Sequence, residues 1–149
     1  MTGTATSTFS YAIYIRTTPE RLWEALTKPE FTKKYWFGVS AQSDWKPGSA
    51  WRLIFDDGSV ADAGEIIEAD PPRRLVLTWR NEFMPELTAE GYSRCTIELE
   101  PAGDAVKLTL THEIDRSPSK FIEALSSGWP KVLSNLKSLL ETGEAILKG

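Results

Sequence analysis

The chain has 149 residues, 41% of them hydrophobic and 26% charged, and a formal net charge of −4. That is enough apolar material for one ordinary domain with its own core. The net acidity, with Lys and Arg scattered and not clustered, argues against a nucleic-acid partner, which calls for a basic face. A single Cys excludes an internal disulfide and fits a reducing compartment, and a single His excludes a metal site built from several histidines.

The opening MTGTATSTFS has no apolar run, so no secretory signal is expected there. No segment reaches the length of a membrane span, and the cytoplasm is the expected location. Residues 1–8 are small and polar and are expected to be disordered, with a single domain over 9–149. From Phe9 to Arg16 the pattern has period two, with Phe9, Tyr11, Ile13 and Ile15 on one side, as in a half-covered strand. Thr18-Pro19-Glu20 is a helix start, Thr18 as N-cap and Pro19 at the first helical position, and Leu22, Trp23 and Leu26 face inward. Pro29 ends that helix and opens a second short one carrying Phe31, Tyr35 and Trp36.

Strand signals return at Val39. Pro47-Gly48 is a turn, Trp51, Leu53 and Phe55 alternate with polar neighbours, and Asp57-Gly58 is a hairpin turn. Val60 to Ala69 is the return strand, with Gly64 inside it; Ile66 shares its side, so Gly64 is expected to face inward. After Asp70-Pro71-Pro72, Leu75, Leu77 and Trp79 share one face of the next strand. Asn81 to Tyr92 reads as a loop. Cys95, Ile97 and Leu99 point one way, Pro101 to Asp104 turns the chain, and Val106, Leu108, Leu110, His112 and Ile114 return on the same face.

The last segment, from Pro118 on, is the longest helical pattern. Trp129, Val132, Leu133, Leu136, Leu139, Leu140 and Leu147 form one stripe, with Lys131, Ser134, Lys137, Ser138, Glu141 and Glu144 opposite. Gly128-Trp129-Pro130 interrupts it, and either a kink or a short helix followed by a restart is expected. Gly143 either ends the helix or lies on the stripe. The order is strand, two helices, six strands, long helix: an α+β antiparallel sheet wrapped around its last helix.

The residues also carry a family resemblance. Thr18-Pro19-Glu20-Arg21-Leu22-Trp23-Glu24-Ala25-Leu26-Thr27 resembles the opening motif of bacterial proteins related to the C-terminal domain of activators of the heat-shock-protein-90 ATPase. The run from Pro47-Gly48 through Asp57-Gly58 and Gly64-Glu65-Ile66 to Pro71-Pro72-Arg73-Arg74-Leu75-Val76-Leu77-Thr78-Trp79 does so too, as does Gly128-Trp129 with Leu133, Leu136 and Leu140. The resemblance implies the helix-grip fold of the START and birch-pollen-allergen (SRPBCC) superfamily, with a cavity between sheet and long helix. Superfamily members bind lipids, hormones or polyketides, and a few catalyse cyclisation or dehydration; a shared fold does not choose among these.

Candidate chemistry is sparse. There is no Gly-x-Ser-x-Gly elbow, phosphate-binding glycine loop or zinc-type Cys spacing, so no cofactor, metal or catalytic residue is assigned. His112 is either a polar group inside the cavity or a core-edge histidine bonded to a backbone carbonyl or near the helix start. With the turn centred on Ala102 and Gly103, Cys95 would lie opposite Leu110 and diagonal to His112, too far for a thiol–imidazole pair. Asp62 and Glu65 flank Gly64; either could face the cavity and titrate high, but an exposed position is the ordinary one for a carboxylate. The aromatic set is more telling. Trp36, Phe37, Trp51, Phe55, Trp79, Phe83, Met84 and Tyr92 belong to inner faces and loops that would frame a cavity. With Leu53, Gly64, His112, Trp129, Leu133 and Leu136 they make the expected ligand-binding set.

The expected function is the binding of a small apolar or amphipathic molecule between sheet and helix. The alternatives are a chaperone-contacting module like the ATPase activators, and a cyclase or dehydratase using His112 or a buried carboxylate. Monomer and homodimer both stay open.

Overall fold

Period-two burial builds the sheet and period-3.6 burial builds its cover. The computed structural model describes residues 6–147. In chain order it has β1 (Ser7–Ile15), α1 (Pro19–Thr27), α2 (Pro29–Tyr35), β2 (Ser40–Ser43), β3 (Ala50–Ile54), β4 (Val60–Asp70), β5 (Arg74–Asn81), α3 (Pro85–Thr88), β6 (Ser93–Ala102), β7 (Ala105–Ile114) and α4 (Lys120–Thr142). The strands form one curved antiparallel sheet in the order β1-β7-β6-β5-β4-β3-β2. Irregularities at Leu53/Ile54 and Ile66/Glu68 interrupt the register on both sides of β4. Such bulges bend and twist a strand, which helps the sheet curl around α4.

The N-terminal expectations need one adjustment. β1 starts at Ser7, two residues before Phe9, because Ser7 and Thr8 pair with Ile114 and Glu113. The rest of the N-terminal segment, residues 1–5, lies outside the described residues. Thr18 caps α1 by accepting a hydrogen bond from the Arg21 N–H at 3.2 Å, with Pro19 in the first turn. The buried Tyr35 hydroxyl donates to the Ala25 carbonyl at 2.9 Å and locks α2 onto α1. The stretch expected as a loop between β5 and β6 contains the single turn α3, opened by Pro85 and held by the Asn81 side chain.

The long helix is continuous: α4 runs through Gly128-Trp129-Pro130 without a break. Pro130 leaves the Ser126 carbonyl without its usual donor, but Ser126 is exposed and water can satisfy it. Ser119 caps the start, its hydroxyl oxygen accepting from the Ile122 N–H at 3.1 Å. The Glu90 carboxylate adds a second cap from outside, accepting from the Ser119 hydroxyl at 2.6 Å and the Lys120 N–H at 2.8 Å. Gly143 ends the helix in the left-handed conformation at φ 91°. Leu147 is therefore not on the helical stripe. It folds back and exchanges hydrogen bonds with the buried Asn135, whose Oδ1 accepts from the Leu147 N–H at 2.7 Å.

The β6–β7 hairpin turns at Gly103-Asp104, one position later than expected, since Ala102 pairs with Ala105. That shift of two in the pairing places Cys95 directly opposite His112, not diagonal to it. Burial holds the Cys95 thiol far above its ordinary range, so it stays a neutral core group.

Candidate ligand cavity

A cavity of about 340 Å³ lies between the first half of α4 and the β4–β5 part of the sheet. Along α4 its lining residues are Phe121, Ala124, Leu125, Gly128, Trp129 and Val132, a stripe at helical spacing. Ala61 and Asp62 of β4 and Trp79 and Asn81 of β5 form the sheet side. Trp36, Phe37 and Val39, around the link from α2 to β2, complete the lining together with Phe55, Phe83, Met84 and Leu87. Phe37, Phe83 and Met84 are exposed at the rim, with Phe83 edge-on to Phe55 at 5.2 Å.

Three indoles make its inner wall. Trp36 stacks on Trp79 at 6.0 Å, and Trp129 meets both edge-on at 5.0 and 5.5 Å. Behind them is a void of about 30 Å³ lined by Trp51, Leu53, Leu75 and Leu77 among others. Trp36, Trp79 and Trp129 border both spaces and so act as the partition between a dense core and the open cavity. Trp51 is held behind this wall by its indole N–H, which donates to the Thr78 carbonyl at 2.8 Å.

That bond explains Gly64. A Cβ there would come within 1.9 Å of the Thr78 carbonyl oxygen and 2.8 Å of Trp51 Nε1. Gly64 therefore faces β5 backbone and the Trp51 ring, not the cavity or α4 as its alternation with Ile66 suggested. Trp51 passes over β4 only because no side chain stands in its way.

His112 is fully buried and also stands behind the wall, not in the cavity. Trp129 Nε1–H, a donor only, donates a hydrogen bond to His112 Nε2 at 3.2 Å. The ring proton then sits on Nδ1 and faces Ser93 Oγ at 3.2 Å, while the Ser93 hydroxyl donates to the Trp79 carbonyl at 3.2 Å. Burial pushes the imidazole down to about 3, so it stays neutral at ordinary pH. Its ring also packs against Trp79 at 5.1 Å and Phe121 at 6.0 Å. His112 is a buttress that fixes two walls of the cavity.

The one carboxylate in the lining is Asp62, the ordinary exposed placement being wrong for this residue. Burial pushes its carboxyl up to about 7, tempered by the nearby Trp79 indole N–H and raised further by the negative charge of Glu82. Glu82 is itself paired to Arg80 through both guanidinium nitrogens. Glu65, the other candidate, is exposed. The second polar liner, Asn81, spends its Oδ1 on the Phe83 and Met84 N–H groups at 3.2 and 2.9 Å, so only its amide nitrogen is left for a guest.

Of the expected set, Trp36, Phe37, Phe55, Trp79, Phe83, Met84 and Trp129 line this cavity. Trp51 and Leu53 line the inner void, and Leu133 and Leu136 are buried in the core. Tyr92 is outside, its ring under the Arg80 guanidinium at 4.6 Å. The sequence reading passed over Phe121, Leu125 and Gly128. Continuing the stripe back from Trp129 in steps of four would have found the first two, had Pro130 not been taken as a boundary. Asp62 was hidden by the irregular register of β4.

Gly128 is unlike Gly64: a Cβ there would meet nothing within 4 Å. A helical glycine costs about 1 kcal/mol relative to alanine, and no neighbour requires this one. Among the described residues no cluster of His, Cys, Asp or Glu could hold a metal ion, and no helix is long and apolar enough to cross a membrane.

Known proteins place this geometry. Protein MLL2253 from Mesorhizobium loti superposes with a TM-score of 0.77 at 24% identity, covering 91% of this chain and 97% of that one. An HSP90 activator from Plasmodium falciparum gives 0.73 at 24% identity over 89% and 95%. DynU16, a protein in the dynemicin biosynthetic locus, gives 0.72 at 22% identity over 93% of this chain and 48% of its own. At such identities the likeness speaks for the fold, the helix grip. Comparison with curated proteins returned no match. The family model for activator of Hsp90 ATPase homolog 1-like proteins matches residues 16–141, nearly the whole of the described domain. The chain belongs to the family of activator of Hsp90 ATPase homolog 1-like proteins.

Proposed function

We propose that the domain binds a small, largely apolar molecule in the space between β4–β5 and the first half of α4. The observation that carries this reading is the cavity of about 340 Å³, walled by three indoles and reached by only two polar side chains, Asp62 and Asn81. That is the usual make-up of a small-molecule site, apolar walls for affinity and a few polar groups for orientation. A neighbour encoded in a biosynthetic locus fits a protein that handles a small organic molecule. Native mass spectrometry of the protein purified from its own host tests the reading. A co-purifying small molecule, or uptake of the neutral fluorescent probe N-phenyl-1-naphthylamine, is expected; an empty protein that takes up no probe would overturn it.

The family match favours a second reading, contact with a chaperone of the heat-shock-protein-90 class. A saturable stimulation of the host chaperone's ATPase by this domain alone would establish it. The absence of stimulation at micromolar concentration is the outcome we expect. Catalysis through His112 is disfavoured by its position, since both ring nitrogens are engaged behind the wall.

A further inference from the structure

Among the described residues, Asp62 is the one ionisable side chain in the cavity lining, and no Lys, Arg or His faces it there. The protein therefore supplies no counter-charge inside this space. Arg80, next along β5 to the Asn81 that pairs with Asp62, is committed elsewhere. Its guanidinium grips the Glu82 carboxylate through two nitrogens and lies over the Tyr92 ring at 4.6 Å. Glu82 itself acts on Asp62 as a second negative charge. A carboxylate withdrawn from water is costly unless a cation pairs with it, and this one has an open cavity in front of it.

The chemistry of the wall selects its complement. An anionic guest would add its charge to those of Asp62 and Glu82. A wholly apolar guest would seal Asp62 from water and give it nothing in return. A hydroxyl would donate one hydrogen bond and leave the charge unpaired. A protonated amine supplies both, and hydrogen bonds between charged groups are the strong ones. The rest of the lining suits the same group. Trp36, Trp79, Trp129, Phe55 and Phe121 supply aromatic rings, whose faces attract a cation, indole most of all. We infer that Asp62 is the counter-ion for a guest carrying a protonated amine on an apolar frame, an inference that rests on the cavity being a ligand site.

Three probes on one ring system separate the possibilities: 1-naphthylmethylamine, a cation at about pH 8; 1-naphthalenemethanol, which is neutral; and 1-naphthoate, an anion. Calorimetric titration of the whole chain at that pH should show the amine binding about tenfold tighter than the alcohol, with the naphthoate weakest. Asp62→Asn keeps the shape of the side chain and removes its charge. It should bring the amine-to-alcohol ratio down to about one, and Asp62→Ala should do the same. A wild-type chain that does not prefer the amine, or a preference that survives both variants, would overturn the counter-ion and leave the cavity reading standing. Binding of none of the three probes would overturn both.

Discussion

The two ends of α4 cover the sheet in different ways. Towards its C-terminal end, Leu133 and Leu136 belong to the same core cluster as Ile15, Leu22, Val106, Leu108 and Leu110, all at most 1% exposed. Two polar ties secure this end: Lys137 Nζ donates to the Tyr14 carbonyl at 2.6 Å, and Glu141 accepts from the Arg16 N–H at 2.8 Å. Towards its N-terminal end the same helix presents Leu125, Gly128 and Trp129 to an open space, with a carboxyl of raised proton affinity in the wall. The filled end holds the fold. The hollow end gives up stability that a better-packed core would keep, and concentrates there every feature that could meet a guest.

Substitutions can break this contrast. The largest effect is expected from Gly64→Ala, on the border between the two regions. The added methyl would meet β5 backbone and the Trp51 ring, neither of which can swing away. We expect a loss of at least about 3 kcal/mol in urea unfolding, at the upper end of overpacking costs. A near-neutral result would mean that β4 does not approach β5 as described. Next comes Leu136→Ala at the filled end, with a loss of about 2–5 kcal/mol, against about 1 kcal/mol for Leu125→Ala beside the cavity. Equal losses would erase the distinction between the ends.

Asp62→Asn tests the hollow end through pH. The folded-state value of about 7 stands above the ordinary carboxylate value near 4, so the fold favours the proton on Asp62. Its burden on stability is absent below about pH 4, grows as pH rises towards 7, and is complete above that. Asp62→Asn should therefore stabilise the protein by about 1–3 kcal/mol at pH 8 and by almost nothing at pH 4. A pH-independent difference would place Asp62 in water.

The strength and the limits of the sequence reading follow from which forces are local. Alternation along β1, β6 and β7, the Thr18 cap and the stripe from Trp129 to Leu136 were legible because each depends on near neighbours in the chain. His112 was placed on the correct face, but whether that face met cavity or core depended on Trp129, which arrives from another element. Cys95 was misplaced by a turn one position off, because hairpin register depends wholly on the turn. Gly64 and Asp62 lie on β4, where bulged register defeats simple alternation. The bend in the sheet that makes room for the cavity is also what hid its carboxyl. The break at Pro130, one of the two expected outcomes, does not occur, because the cost of the proline depends on whether the Ser126 carbonyl can reach water.

The most direct test of the account is Gly128→Leu, one substitution that fills the hollow end without touching the filled one. The missing side chain at Gly128 opens on free space, and leucine is a far better helix former than glycine. The melting temperature should stay level or rise while uptake of N-phenyl-1-naphthylamine is lost. A variant that still takes up the probe as the wild-type chain does would contradict the claim that this cavity is the ligand site.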